Sequence, residues 1–261
     1  MSKIKTYEEL NKHKQDTLNT LNEYLSNLIN SKNDASQSKA DKILYWLQTY
    51  AKFLDYEKDF NPSRRCRYKR GQVVKADFGF RIGSEYGGLH YSIVMDNNNS
   101  IHSPVVTVIP LTSVKPGFTK DRLKKGQVYL GEEIYTKLSD KASSMQNKFF
   151  IEIRDLTSTI NELSHKEATL SKESRQLALD TCRQRLRELQ LKAGLIAKIS
   201  NEIKRMKHGS IAITNQIVTI SKIRISDPKA SGNVLSGVRL SSESLDLLDS
   251  EIEKLYLHQK L

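Results

Sequence analysis

The chain has 261 residues, which is long enough for one large domain or for a compact domain with substantial additions. Its hydrophobic share of 38% excludes a wholly disordered chain, and no apolar run reaches the roughly 18 residues of a membrane-spanning helix. A net charge of +12 makes nucleic acid the first class of partner to consider, although many basic proteins bind no polyanion.

The cysteines and the N-terminus indicate the cellular compartment in which we expect this protein. Cys66 and Cys182 stand far apart and form no metal-binding spacing with histidines, so we predict free thiols and neither a metal nor another cofactor. The polar N-terminus does not resemble a signal peptide. We therefore expect a cytoplasmic protein that has no membrane partner.

The N-terminal region predicts a helical hairpin over roughly 5–58. Apolar residues recur at helical spacing in two runs, and a polar stretch at 31–39 separates them. Asn61-Pro62 ends the pattern, because the residue before a proline is disfavoured in a helix. The first domain is accordingly placed at 1–62.

The character of the chain changes near residue 64. Short runs of β-forming residues predict strands, and a glycine-rich turn at 79–88 separates the first two. The predicted strands are 72–78, 91–95, 105–111 and 127–130. We assign 63–138 to the first part of a β domain.

Residues 139–208 predict long helices instead. Apolar side chains recur there at spacings of three and four, as in a coiled-coil seam, and Gly194 is the one poor helix former in the second run. Two antiparallel helices are the preferred interpretation, and one bent helix also fits the pattern.

Strands return at 210–213 and 217–225, and a last helix is predicted after the start signal Ser241-Ser242-Glu243. We assign 209–261 to the second part of the β domain with its C-terminal helix. Periodicity alone allows either two β domains or one sheet that is interrupted by an insertion.

Three ordered blocks of the sequence resemble the PemK/MazF family of bacterial type II toxin–antitoxin toxins. They begin at Lys69-Arg-Gly-Gln-Val-Val, continue through Gly83-Ser-Glu-Tyr-Gly-Gly88 to Val106–Ser113, and resume at Gly209–Ile220. The resemblance covers about 68–138 and 209–258. It implies an α+β fold, in which a small, strongly bent antiparallel β-barrel carries an N-terminal helical hairpin and an inserted long helical hairpin.

The resemblance also implies an activity. Such toxins are metal-independent endoribonucleases (mRNA interferases), in which the 2′-hydroxyl of single-stranded RNA attacks the adjacent phosphorus and yields a cyclic phosphate and a 5′-hydroxyl. Single-stranded RNA, an antitoxin protein and a second copy in a homodimer are the implied partners. Two alternatives stay open: a barrel that binds RNA without cutting it, and a module that binds a protein through its helices.

The family motif Gly-Gly-x-Arg-Pro corresponds here to Gly87-Gly88-Leu89-His90-Tyr91, so His90 stands at the arginine position. Histidine can take or give a proton near neutral pH, whereas arginine is a very poor base. We predict His90 as general base or acid, with Thr112 and Ser113 donating hydrogen bonds to the phosphate. The plainer alternative is that His90 only contacts RNA or packs in a loop.

Further residues are predicted to contact RNA. Arg70 matches the family's Arg-Gly position, and His102 is also a second candidate for proton transfer. Tyr68, inside the basic run 64–70, can stack on a base, although a solvated linker explains the same run. The complete set predicted to bind RNA is Arg70, Ser84, Glu85, Gln216 and His102.

Overall fold

The structure, a computed structural model, describes residues 5–165 and 171–257. These residues form five α-helices and one antiparallel sheet of seven strands, which confirms the predicted α+β class. They divide into two compact units: the chain up to Phe60 together with Gly79–Gly83, and Asn61–Phe78 together with the chain from Ser84 onward. Segment 166–170, inside the predicted insertion, lies outside the described residues, as do both chain ends.

The N-terminal unit is the helical hairpin that the apolar spacing predicts. Helix α1 (Tyr7–Asn30) is followed by helix α2 (Asp34–Glu57). Thr6 caps α1: its hydroxyl accepts from the Glu9 backbone N–H at 3.2 Å, and the Glu9 carboxylate accepts from the Thr6 N–H at 2.7 Å. This reciprocal pair satisfies two N–H groups that have no partner inside the helix. Apolar side chains pack between the helices: Leu21, Leu25, Leu28, Ala40, Ile43 and Leu47.

The second unit contains the sheet. Its strands are β1 (Val73–Asp77), β2 (Leu89–Val94), β3 (Val105–Ser113), β4 (Gln127–Gly131), β5 (Ser210–Ile213), β6 (Val218–Ser221) and β7 (Ile225–Asp227). They run in the order β4-β5-β3-β2-β1-β7, and β6 pairs with β3. Strand β3 pairs with β2, β5 and β6. Strands from before and after the inserted helices therefore share one sheet.

Two long helices lie between β4 and β5. Helices α3 (Glu133–His165) and α4 (Lys172–Arg205) agree with the two-helix interpretation, and a Glu152–Lys192 ion pair of 2.5 Å links them. Helix α3 begins earlier than predicted, because the Glu133 carboxylate is fixed in the β domain. It accepts hydrogen bonds from the Ser241 N–H and the Ser244 hydroxyl, both at 2.5 Å.

The last helix, α5 (Ser242–Tyr256), begins where its signal predicts. The Ser241 hydroxyl caps it by accepting from the Ser244 N–H at 3.3 Å. Leu248 of α5 is fully buried, and so are Leu138 of α3 and Ile199 of α4. All three belong to the main core, which they form with residues of the sheet.

This core corrects the barrel prediction. In the part of the chain that the structure describes, the end strands β4 and β7 are not paired with each other, so the sheet is open. A sheet must cover its apolar face. Here helices α3, α4 and α5 cover it, so that closure of the sheet on itself is not needed. None of the described helices combines the length and apolar character that crossing a bilayer demands.

Candidate active site

The three residues predicted to be catalytic line one cavity of about 270 Å³. His90 comes from the start of β2, and Thr112 and Ser113 come from the end of β3. Strand β5 and the end of α4 complete the enclosure. The lining residues are Lys75, Leu89, His90, Tyr91, Leu111, Thr112, Ser113, Glu202, Arg205, Met206, Lys207 and Ser210.

Strand register explains why residues far apart in sequence meet here. Strands β2 and β3 are antiparallel, with Ser92 opposite Pro110. Side chains two residues apart on a strand share a face, so the same register brings His90 beside Thr112. On β3's other edge Thr112 pairs with Ile211 of β5. The cavity therefore lies where β3 passes from pairing with β2 to pairing with β5.

Tyr86, which the sequence does not single out, holds the His90 ring. The two rings lie 4.5 Å apart between centroids, and the Tyr86 hydroxyl is 3.2 Å from His90 Nδ1. That hydroxyl donates its one proton to the Leu111 carbonyl oxygen at 2.5 Å. It can therefore only accept from His90, which assigns the proton of the neutral ring to Nδ1 and leaves a lone pair on Nε2.

Burial shifts the pKa of both His90 and Tyr86. It lowers the pKa of His90 below its ordinary value of 6.5, and the Gly87 carbonyl oxygen acts in the opposite direction. Burial also raises the pKa of Tyr86, against a smaller effect of Thr112. At neutral pH the imidazole is therefore uncharged and the phenol protonated. A neutral imidazole with an accessible lone pair can accept a proton.

The glycine-rich loop next to His90 is held by Gln216. The Gln216 side-chain oxygen accepts from the Tyr86 backbone N–H at 3.3 Å, and its amide nitrogen donates to the Ser84 carbonyl oxygen at 3.4 Å. Ser84 and Glu85 themselves are exposed. Gln216 therefore orders the loop that carries both of these residues and Tyr86.

A second polar group in the cavity comes partly from the inserted helices. The Lys75 ammonium lies 2.7 Å from a carboxylate oxygen of Glu202 in α4, and the Tyr91 hydroxyl donates to the same oxygen. Burial acts to raise the pKa of Glu202, but the hydrogen bonds from Lys75 and Tyr91 outweigh it, so the pKa is lowered. In the sequence Glu202 is one of many charges along a helix, and no local signal marks it.

None of the five residues predicted to bind RNA is among the lining residues of this cavity, and Arg70 and His102 have partners elsewhere. The Arg70 guanidinium pairs with Asp249 of α5 and donates to the Met95 carbonyl oxygen at 2.5 Å. His102 lies before β3, with its Nδ1 2.9 Å from the Ser63 hydroxyl. At about 3.3 Å per residue, the start of β3 is roughly 23 Å from Thr112, so His102 stands near the opposite end of that strand.

The base-stacking role suggested for Tyr68 is wrong. Only 1% of Tyr68 is exposed, and its hydroxyl donates to the Pro228 carbonyl oxygen at 2.8 Å. The Lys222 ammonium lies 5.6 Å from the centre of its ring. Tyr68 belongs to a core cluster, whereas Arg64, Arg67 and Lys69 of the basic run around it are exposed.

Comparison with known proteins bears on this geometry. Residues 69–144 match the model of the PemK-like, MazF-like toxins of type II toxin–antitoxin systems. The predicted resemblance is thereby confirmed. The match to this toxin family covers less than a third of the chain, and it includes His90 and Thr112 but neither Glu202 nor Gln216.

No curated protein matches the chain. The members of this family are toxins and generally ribonucleases. A toxin of such a system implies an antitoxin as its partner. Across the described ranges, no group of three or more His, Cys, Asp or Glu side chains is arranged to hold a metal ion.

Proposed function

We propose that this protein is the toxin of a type II toxin–antitoxin system and cleaves single-stranded RNA as a metal-independent endoribonuclease, with His90 as the general base. The observation that carries this proposal is the shared cavity of His90, Thr112 and Ser113 in a segment that matches the toxin family. A basic chain suits the substrate, since phosphates are its dominant charges.

The proposed step uses the ring tautomer that Tyr86 selects. Nε2 of His90 takes the proton of the ribose 2′-hydroxyl, and the resulting O2′ attacks the adjacent phosphorus. The bond from phosphorus to O5′ breaks, and the leaving oxygen takes a proton from water. Thr112 and Ser113 donate hydrogen bonds to the phosphate oxygens, on which negative charge develops. The products are a 2′,3′-cyclic phosphate and a 5′-hydroxyl.

The remaining predicted contacts have different support. Ser84 and Glu85 are exposed on the loop that borders His90, so they are proposed to contact the RNA beside the cut. Gln216 is proposed to act by holding that loop. Arg70 and His102 lie outside the cavity and are proposed at most as contacts with more distant parts of the RNA. A homodimer and a cognate antitoxin remain proposals that rest on the family.

The decisive experiment is cleavage of a pooled single-stranded RNA by the purified full chain, with chelator present and with product ends mapped. We expect 5′-hydroxyl and cyclic-phosphate ends. We expect His90→Ala to lower the rate by about a hundredfold or more, since a positioned base contributes roughly that much. His165→Ala, an exposed histidine at the end of α3, is the matched control.

Two results would contradict the proposal. Cutting by His90→Ala at the wild-type rate removes the base role, and the absence of any cutting by the wild-type chain removes the enzyme. His90→Arg adds information, because arginine restores the common family residue. Retained cutting by that variant would mean that charge, rather than proton acceptance, is what this position supplies.

A second candidate function, binding of a protein partner by the helices, has one specific observation in its favour. The inserted helices expose large apolar side chains, among them Phe150 at 65%, Leu177 at 70% and Leu191 at 76%. Burying such side chains stabilises a complex. A protein complex that persists at high salt would support this candidate, because RNA held through phosphates dissociates as salt rises.

A further inference from the structure

One wall of the cavity belongs to the insertion rather than to the sheet. The last turn of α4 and the residues after it contribute Glu202, Arg205, Met206 and Lys207, which we call the α4 wall. These residues lie outside the segment that matches the toxin family. The site is therefore incomplete without the inserted helices.

A specific contact fixes the α4 wall to the sheet. Lys75 and Tyr91 stand directly opposite each other on β1 and β2, and both bind the same Glu202 oxygen. The Lys75 ammonium also lies 5.3 Å from the centre of the Tyr91 ring. Side-chain exposure is only 28% for Lys75 and 16% for Glu202. A partly buried ion pair with this geometry holds the lysine in one place.

The charges of the α4 wall, together with Lys75 on β1, favour an anion. Three cations, Lys75, Arg205 and Lys207, line the cavity against the single carboxylate of Glu202. An ammonium has three N–H donors, so Lys75 keeps two after it donates to Glu202. Arg205 and Lys207 are exposed. A guanidinium and two ammonium groups that face one concave space are suited to phosphate oxygens.

We propose that Lys75, Arg205 and Lys207 bind a phosphate of the RNA strand next to the one that is cut, and that Glu202 is the positioning residue for Lys75. The choice of RNA as the ligand rests on the proposed function. The insertion is then part of the substrate site, and its last turn sets how the strand enters the cavity.

The test measures binding without cleavage, using a random pool of single-stranded 2′-fluoro RNA, in which no 2′-hydroxyl can attack. Two matched pairs in and just after α4 are compared with the wild-type chain: Arg205→Gln with Arg183→Gln, and Lys207→Gln with Lys204→Gln. Arg183 is exposed and near the start of α4, and Lys204 is exposed but does not line the cavity. All four changes remove one positive charge.

We expect Arg205→Gln and Lys207→Gln each to weaken binding by about tenfold at low salt, as loss of a charged hydrogen bond does. Each should also lower the slope of log affinity against log salt by about 0.7, the value for one phosphate contact with a single strand. The two controls should keep the wild-type slope. Equal slopes within both pairs would overturn the proposal.

Glu202 has its own test. Glu202→Gln makes the wall more positive, so charge alone predicts tighter binding. If Glu202 positions Lys75, binding weakens by about threefold instead, because an unsupported lysine must be ordered on binding. Tighter binding with an unchanged melting temperature would overturn the positioning role.

The binding arm and the cleavage assay fail independently. If the wild-type chain cuts no RNA but the paired variants differ as expected, the proposed ribonuclease activity is wrong and the proposed phosphate binding is supported. If the chain cuts RNA and the paired variants behave alike, the ribonuclease activity is supported and the proposed phosphate binding is wrong.

Discussion

The contact between Tyr86 and His90 bears on the tautomer of the His90 ring, and burial bears on its charge. A hydroxyl that has donated its proton to the Leu111 carbonyl oxygen can only accept from the imidazole. This fixes which ring nitrogen carries the proton, while burial keeps the ring uncharged. In the proposed step, proton acceptance at Nε2 thus depends on a tyrosine that itself takes no proton from the substrate.

The lowered pKa of His90 predicts the pH dependence of cleavage. The proposed general base must be a neutral ring, so the rate should rise with pH through a midpoint below 6.5, the ordinary value. Single-turnover cleavage rates measured between about pH 4.5 and 8 check this against the reference pKa. A midpoint above 6.5 would contradict the burial argument.

The same shift predicts the direction of a stability change. Below pH 6.5 the unfolded chain protonates this histidine while the folded chain still resists protonation, so the unfolded state binds more protons. His90 therefore contributes stability above pH 6.5 that is lost as the pH falls through that window. Denaturant unfolding of wild type and His90→Gln at pH 7.5 and 5.5 should show a smaller loss on acidification for the variant.

Removing the hydroxyl of Tyr86 tests its orienting role. Tyr86→Phe keeps the ring contact with His90 but loses both hydrogen bonds of the hydroxyl, so we expect cleavage to fall by roughly tenfold or more. Stability should fall by about 1 kcal/mol. Tyr256→Phe is the control, since its hydroxyl also donates to a backbone carbonyl, that of Thr214, whereas Tyr86 is the tyrosine whose ring and hydroxyl contact His90. Unchanged cleavage by Tyr86→Phe would remove the tyrosine from the mechanism.

At the scale of elements, the junction between α4 and β5 is sterically constrained at Gly209. Gly209 has a φ of +78°, and a Cβ there would lie 2.8 Å from a methyl group of Val114. The strand that begins next pairs with Thr112 and Ser113. Glycine is therefore required both for the backbone conformation and for the close approach.

Two glycine substitutions should change stability in opposite directions. Gly209→Ala forces a side chain into a left-handed conformation and a crowded space, which should cost about 2 kcal/mol. Gly194→Ala, within α4 and with no atom near the added carbon, should stabilise by up to about 1 kcal/mol. Chemical denaturation of both variants measures this. A neutral Gly209→Ala would mean that the junction can relax.

Element identity was largely predictable, whereas sheet closure and the site's second wall were not. Helical spacing predicted α1, α2 and the two inserted helices because long periodic segments carry strong signals. The open sheet was missed because no local pattern reveals that α3, α4 and α5 cover its face. His90 and Thr112 came from family motifs. Glu202 could not be predicted in this way, because its contacts with Lys75 and Tyr91 form only when α4 packs against the sheet.

At the scale of the whole molecule, the pair of inserted helices has a base and an outer part that are packed differently. Its base belongs to the core, where Leu138 and Ile199 are fully buried. Its outer part is held mainly by the packing of α3 against α4. Leu156 of α3 and Leu189 of α4 are buried there. The outer part also contains an apolar cleft of about 500 Å³ near Cys182.

Deletions of different length should therefore behave differently. Replacing 154–190 by a short Gly/Ser linker keeps the Glu152–Lys192 pair and the core contacts, so the melting temperature should stay within about 4 °C of wild type. Deleting 139–208 removes core residues and should abolish cooperative unfolding. Thermal unfolding followed by circular dichroism checks both. Cooperative unfolding of the larger deletion would show that the base is dispensable.

The trimmed protein also separates the two candidate functions. RNA cleavage should persist, because the α4 wall is retained, whereas a protein complex held by the exposed apolar side chains of the outer part, Ile160, Leu177, Leu179 and Leu186, should be lost. Loss of cleavage in a trimmed chain that remains folded would instead assign the outer helices to RNA.

Helix α4 is about 50 Å long at 1.5 Å per residue, and four residues, the last of them Gly209, join its inner end to the strand beside Thr112. A partner that binds the outer end of this helix, far from the cavity, would therefore act on the candidate site through the α4 wall.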